Sequence, residues 1–392
     1  MAPAHRAPPR RVTIYLDYQA TTPLAPEAAA AMRPWLEDKF ANPHSSHKLG
    51  RETSAAVEVA RAQVLAALQA CSPAKAEAQN PSWTPACAGE GQAGKLYFTS
   101  GATEAANWAL KGCGRRRIVA LATEHACVLD TLEWLSSRGH EVEIVPVEPD
   151  GLADLDRLRA AVGDDTGLVA AMLVNNEIGV IQPIGEIARI AHEGGALFFC
   201  DAVQGFGRVP LPLDVCDMAA LSAHKVHGPK GIGALWVRDG IMLEPLLHGG
   251  GQEGGLRSGT LSPALCAGFG AAAALLGPDD HDHVERLWTV ACGLMRDWTL
   301  NGSDERRYRG NLNLRRDGID AARLISEVRG VAFSAGSACA SGSGRPSHVL
   351  AALGLDRPAA ASSIRLGFGR YTTDEELRAA FGLISEAAAR QL

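Results

Sequence analysis

Between residues 95 and 240, apolar runs of four to eight residues alternate with stretches of helical periodicity. Runs at 95–100, 117–121, 141–147, 168–174, 196–200, 218–221 and 232–237 read as candidate strands, with helical patterns at 126–136 and 184–191 among the connections. Strands that are apolar on both faces and alternate with helices predict a mostly parallel sheet wrapped by helices. The stretch 51–70 predicts one long helix whose apolar positions include Val57, Val64, Leu65 and Leu68. From 71 to 94 the pattern lapses into Pro, Ala, Gly, Ser and Asn, which predicts an exposed loop inserted in the domain. A helix starts near Ser262. Beyond it, strand patterns at 311–314, 331–334 and 364–368 alternate with helices near 321–328, 347–353 and 373–390, a smaller α+β unit. The expected organisation is a basic, Pro-rich tail over 1–11, a large α/β domain over 12–261 and a C-terminal domain over 262–392.

Composition narrows the function. The 392 residues carry 38 Lys+Arg against 44 Asp+Glu, a formal net charge of −6, which argues against nucleic acid or an anionic membrane as the main partner. No apolar run approaches membrane-spanning length, and the tail lacks a signal-peptide core. The nine cysteines include no C-x-x-C pair for zinc or redox chemistry, so free thiols and a cytoplasmic setting are expected.

Several segments carry candidate chemistry. Lys225 follows the strand pattern at 218–221 and precedes a Gly/Pro turn, a place suited to a partly desolvated Schiff-base lysine. A lone lysine is far more often solvated, so its partners decide the reading. Asp201 ends the apolar run at 196–200 and can face a cleft at the carboxyl edge of a sheet, where a carboxylate would pair with a pyridinium nitrogen; a helix-capping aspartate is the alternative. Ser100, Gly101, Ala102 and Thr103 join a strand to a helical start, as an anion cradle does, and also as an ordinary cap does. His125 follows the next strand and can stack on a ring or carry protons. A second Gly-rich run, 248–260, suits a phosphate or a partner subunit's site. Cys339 stands among Ala, Ser and Gly, the setting of a nucleophilic thiol on a mobile loop rather than of a packed cysteine.

Ten segments in order carry a resemblance: LDYQATTPLAP (16–26), NPHSSHKLGR (42–51), FTSGATEAANWALKG (98–112), TEHACVLD (123–130), VNNEIGVIQPI (174–184), DAVQ (201–204), SAHKVHGPKGIGALWVR (222–238), RSGT (257–260), SAGSACAS (334–341) and SIRLGFGR (363–370). Together they resemble the cysteine desulfurases, the NifS/IscS-like branch of the class V aminotransferase superfamily with the pyridoxal 5'-phosphate fold type I. The resemblance implies Lys225 as the Schiff-base lysine, His125 stacked on the ring, Asp201 on the pyridine nitrogen, and Asn176 and Gln204 near the ring hydroxyl. It further implies Ala102, Thr103, Ser222 and His224 at the phosphate, Thr260 reaching the phosphate of the neighbouring subunit of a homodimer, and Arg365 on the substrate carboxylate. The implied reaction takes sulfur from L-cysteine, leaving L-alanine and a persulfide on Cys339. That sulfur would pass to an acceptor protein, an iron–sulfur scaffold or a tRNA-thiolation carrier. Selenocysteine lyase, another pyridoxal phosphate lyase or aminotransferase, and a non-catalytic scaffold remain alternatives at this point. Three departures from the family pattern stand out: the 71–94 insertion, Gly254 in place of an arginine, and a short segment over 287–308.

Overall fold

The structure is a computed structural model that describes residues 13–72, 93–335 and 347–392. Residues 1–12, most of the 71–94 loop and the run containing Cys339 lie outside the described residues.

The strands are β1 (Ile14–Tyr15), β2 (Gly94–Thr99), β3 (Arg117–Leu121), β4 (Glu141–Val145), β5 (Thr166–Met172), β6 (Leu197–Asp201), β7 (Met218–Ser222), β8 (Gly233–Arg238), β9 (Thr299–Leu300), β10 (Asn311–Arg315), β11 (Val331–Ala332) and β12 (Ser363–Gly367). The helices are α1 (Pro26–Glu37), α2 (Lys48–Ala70), α3 (Ala102–Gly112), α4 (Ala126–Ser136), α5 (Leu155–Ala161), α6 (Ile184–Glu193), α7 (Pro263–Ala274), α8 (Pro278–Leu294), α9 (Ala321–Glu327), α10 (His348–Ala352), α11 (Arg357–Ala361) and α12 (Asp374–Ala389). All seven strand patterns between 95 and 240 form strands, shifted by no more than two residues at either end. Helix α1 had no counterpart in the sequence reading, because its run of alanines shows little periodic contrast.

Those seven strands make one sheet in the order β2-β8-β7-β6-β5-β3-β4, with only β8 antiparallel to its neighbours. Alternate residues of the apolar strands enter opposite cores: Val169 and Ala171 pack under α2, α5, α6 and α7, whereas Leu168 and Ala170 pack under α3 and α4. Burial on both faces explains the unbroken apolar runs. Helix α7 is apolar all round because α1 and α2 pack on it closely. A Cβ on Gly270 would stand 2.8 Å from the Ala60 backbone, so only glycine permits that contact.

The second core gathers α8, α9 and α12 around the antiparallel sheet β12-β10-β9. Leu16 belongs to this core, and β1 pairs in parallel with β11. The start of the chain, which the sequence pattern assigned to the large domain, therefore adds its first strand to the C-terminal one. The insertion is also narrower than its composition suggests. Gly94 opens β2 and pairs with Arg238, Ala93 O accepts from Asp239 N, and Cys71 O accepts from Leu211 N.

Because β2 runs parallel to β7, the carboxyl ends of β2, β7, β6, β5 and β3 lie along one edge of the sheet. Strand β8 begins there at Gly233, which pairs with Thr99 on one side and Ser222 on the other. A Cβ on Gly233 would fall 2.5 Å from Leu221 O and 2.8 Å from the Gly101 backbone. Neither neighbour can rotate away, so Gly233→Ala is expected to cost about 1–3 kcal/mol as overpacking. Its urea midpoint, compared with that of the parent chain, checks this; an unchanged midpoint contradicts the close approach.

Candidate active site

In open α/β sheets, ligands bind outside the carboxyl ends of the strands where the strand order reverses. Here the reversal lies between β3 and β5, and their carboxyl ends lead to His125 and to Asn175–Asn176. Next along the edge, Asp201 ends β6 and Lys225 follows β7, while α3 begins beyond β2 with its unbonded first amides turned to the same edge. Five connections from separate parts of the chain thus converge.

Asp201 is 6% exposed, and its Oδ1 accepts from Val203 N at 3.0 Å. Burial pushes its carboxyl up, against the pull of nearby His125 and Lys225. Glu124, fully buried beside it, is pushed well above the usual carboxylate range by burial and by Asp201 itself. Glu124 Oε1 accepts from Met172 N at 2.8 Å, and Met172 is the residue paired with Asp201 in the sheet. Two carboxyls this close do not both ionise easily. Burial raises both carboxyls, Glu124 the more strongly.

His125 caps α4, with Nδ1 accepting from Cys127 N at 3.1 Å, so a neutral His125 ring carries its proton on Nε2. Lys225 is half-buried, and its Nζ donates to Gln19 O and to Ala20 O (2.9 Å). Gln204 Nε2 donates to the same Gln19 carbonyl at 2.9 Å. The Ser222 hydroxyl is buried, Ala102 is half-buried and Thr103 is exposed at the start of α3; neither hydroxyl makes a hydrogen bond among the described residues. Asn176 is half-buried, with its amide likewise unpartnered among the described residues. Donors at Ala102, Thr103 and Ser222 and a buried carboxylate at Asp201 match the phosphate and the cationic ring nitrogen of pyridoxal 5'-phosphate, so the residues fit that group.

Ion pairs anchor the surroundings of two further predicted residues. Arg365 is 1% exposed: its Nη2 donates to Asp17 Oδ1 at 2.8 Å and its Nη1 to Asn176 O at 3.0 Å. It is a bridge as well as a candidate anion clamp. Thr260 is exposed on the Gly-rich segment, anchored by the Arg257–Glu104 pair (2.6 Å) and by Glu253, which takes both terminal nitrogens of Arg61 at 2.8 and 2.9 Å. Gly254 adopts φ 67° and is exposed, with no atom within 4 Å of an added Cβ. Cys339 lies outside the described residues.

The structure adds residues to which the sequence reading gave no role. Asp17–Thr22 runs across the site edge: Thr21 Oγ1 lies 3.2 Å from His224 Nδ1, and Thr22 Oγ1 donates to His224 O (2.9 Å) while accepting from His227 N (2.7 Å). Arg208 donates to Lys225 O at 2.6 Å and to the Gln204 side-chain oxygen, holding the two together. The resembling segment 16–26 covered 17–22 without assigning those residues a role, and nothing local marked Arg208.

Burial pushes both His224 and His227 down to about 4, helped by Lys225 near the first and Arg370 near the second. Unfolded histidine takes its proton near ~6.5, so between those values the unfolded chain binds more protons, and stability falls as pH drops from about 6.5 towards 4. Each histidine contributes up to about 1.4 kcal/mol per pH unit in that window. His227→Asn, which tolerates the observed φ of 65°, is expected to lessen the fall in urea midpoint between pH 7 and pH 5. An equal fall in both proteins contradicts the buried neutral ring.

Comparison with known proteins agrees with this geometry. The class-V aminotransferase family model matches residues 14–75 and 89–379, and its interruption falls inside the predicted insertion. The chain is 42% identical over 389 residues to the cysteine desulfurase IscS of Rickettsia bellii, covering 95% of this chain and 90% of that one. It is 40% identical over the same length to the IscS of Rickettsia rickettsii, with the same coverage. A solved NifS-like protein superposes with a TM-score of 0.84 at 31% identity, covering 96% of this chain and all of the other. A structure described as SspA in complex with cysteine does so with a TM-score of 0.79 at 33% identity, over 92% of this chain and all of that one. Strand order, the converging site edge and these similarities together show that the chain belongs to the class-V aminotransferases, in the cysteine desulfurase family.

Proposed function

We propose that this chain is a pyridoxal 5'-phosphate-dependent cysteine desulfurase that takes sulfur from L-cysteine, releases L-alanine and carries the sulfur as a persulfide on Cys339. The observation that carries the reading is the placing of Lys225, Asp201, His125 and the start of α3 along one sheet edge, in a chain 42% identical to a desulfurase. When bound, the cofactor supplies an electron sink for the bond-breaking at the substrate.

Each residue then has a task suited to its surroundings. The α3 amides, Ala102, Thr103, Ser222 and His224 would hold the phosphate. Asp201 would pair with the ring nitrogen. His125 would stack on the ring, with Asn176 and Gln204 near its hydroxyl. Lys225 would hold the cofactor and move the substrate's Cα proton; Gln19 O and Ala20 O orient its amine. Arg365 takes the substrate carboxylate with the guanidinium hydrogens that Asp17 and Asn176 O leave over.

Burial pushes the thiols of Cys71, Cys113, Cys266 and Cys292 up, Cys266 to about 12, and a hydrogen bond with Cys216 together with burial does the same to Cys200, so none of these five is poised as a thiolate. Cys339 is read as the sulfur carrier from its run of small neighbours and its place in the family motif. The acceptor is read as an iron–sulfur scaffold or a tRNA-thiolation carrier. The described residues contain no helix long and apolar enough to cross a membrane, which accords with a cytoplasmic enzyme.

Incubation of the purified protein with L-cysteine, without reductant, should release alanine and add sulfur to the peptide carrying Cys339 by mass spectrometry. Cys339→Ser should still bind cofactor and cysteine but lose sulfur transfer, and Lys225→Ala should lose the visible absorbance of the bound cofactor. Sulfur on another cysteine, or turnover by Lys225→Ala, refutes the assignment. Selenocysteine as a parallel substrate separates the lyase alternative.

The exposure of Thr260 on a segment held beside α3 accords with a homodimer in which it completes the neighbouring site. Sedimentation should then show cofactor loss on dissociation; a fully active monomer contradicts this.

A further inference from the structure

Two fully buried carboxyls adjoin the site without entering the proposed chemistry. Glu124 precedes His125, and Glu177 follows Asn176; Glu124 Oε2 and Glu177 Oε1 have no partner among the described residues. Their two turns are locked together. Asn175 Nδ2 donates to Thr123 O at 2.9 Å, and Asn175 Oδ1 accepts from Glu177 N (2.8 Å) and Ile178 N (3.0 Å).

Two consecutive residues from the C-terminal part of the chain grip both turns. Ser347 Oγ donates to Glu177 Oε2 at 2.5 Å, and His348 Nε2 lies 2.8 Å from Glu124 O. A carbonyl only accepts, so Nε2 of His348 carries the proton. The carbonyl concerned belongs to the peptide that joins Glu124 to His125. His348 therefore fixes that peptide plane while the Cys127 amide fixes the His125 ring. The grip has a firm base: Ser347 caps α10 through Leu350 N at 3.1 Å, and Val349, Leu350 and Leu353 pack on Val147, Ile178 and Val180 in a small core.

We propose that Ser347 and His348 are positioning residues, a two-point clamp that sets the orientation of His125 and Asn176 towards the reacting group. The inference rests on the function proposed above. Small misplacement of such groups lowers the rate of the chemical step more than it lowers binding.

His348→Ala is expected to lower kcat for alanine release about tenfold, with KM for cysteine within about twofold of the parent value. It should also change the visible circular dichroism of the protein loaded with pyridoxal phosphate, which reports ring orientation, at equal cofactor content. His348→Gln, whose amide can donate to the same carbonyl, should restore most of both signals. Val349→Ala loosens the same helix without touching the clamp, and should lower the thermal midpoint while keeping kcat and the dichroic band. If His348→Ala does not accumulate as folded protein, His348→Asn, too short to reach the carbonyl, takes its place against His348→Gln. The proposal fails if the short variant behaves as wild type in both readouts, if His348→Gln is no better than it, or if Val349→Ala reproduces its losses. Should the parent protein bind pyridoxal phosphate yet form no alanine, the desulfurase reading falls, and the dichroic comparison still decides the clamp.

Discussion

The ion pair between Asp17 and Arg365 joins the two ends of the chain at the place where the two cores meet, and the site edge depends on it. Arg365 is almost wholly buried, so its charge needs the 2.8 Å contact with Asp17 and the Asn176 carbonyl to offset lost hydration. Removing Asp17 would strand that buried charge, typically at a cost of about 3–5 kcal/mol. Through that pair, residues 17–22 are drawn across the sheet edge, where their carbonyls and hydroxyls meet Lys225, Gln204, His224 and His227. A strand from the first residues of the chain thereby becomes a strap between domains.

The electrostatics of the edge follow from who is buried and who is paired. Burial beside Asp201 pushes the Glu124 carboxyl well above its usual range, and burial raises Asp201 against the pull of His125 and Lys225. His224 and His227 are held neutral by burial near cations, which suits His224 to hydrogen bonding rather than to charge. Arg208 spends its donors on Gln204 and the Lys225 carbonyl, with its guanidinium 5.3 Å from the Tyr308 ring centre. These burials and pairings orient the donors and acceptors of the edge before any ligand arrives, the kind of preorganisation that favours catalysis.

The Gly-rich segment illustrates a second constraint. Glu253, itself at φ 50°, is tied to Arg61 and to Phe98 N, so the glycines around it absorb the sharp turns that anchoring demands. Gly254, at φ 67°, stands in open surroundings, with no atom within 4 Å of an added Cβ. The family model breaks over 76–88, while the ends of that loop pair into the large domain at Cys71 and Gly94.

The sequence by itself determined the sheet and the residues at its carboxyl ends. Strands buried on both faces must be apolar throughout, so Asp201 and Lys225 stood out where such runs stop, and His125 and Thr103 followed from the strand-turn-helix pattern. Helix α1 escaped because alanine carries almost no amphipathic signal. What only the tertiary structure decided depends on contacts between distant parts of the chain. Asp17 meets Arg365 across 348 residues, Gln19 O meets Lys225 Nζ across 206, and His348 meets Glu124 O across 224. Periodicity reports which face of an element is buried, but not which distant polar group shares that burial. The strap over Lys225, the burial that raises the Glu124 carboxyl and the contacts of Ser347 and His348 behind His125 come from the meeting of distant parts of the chain, which no local pattern encodes.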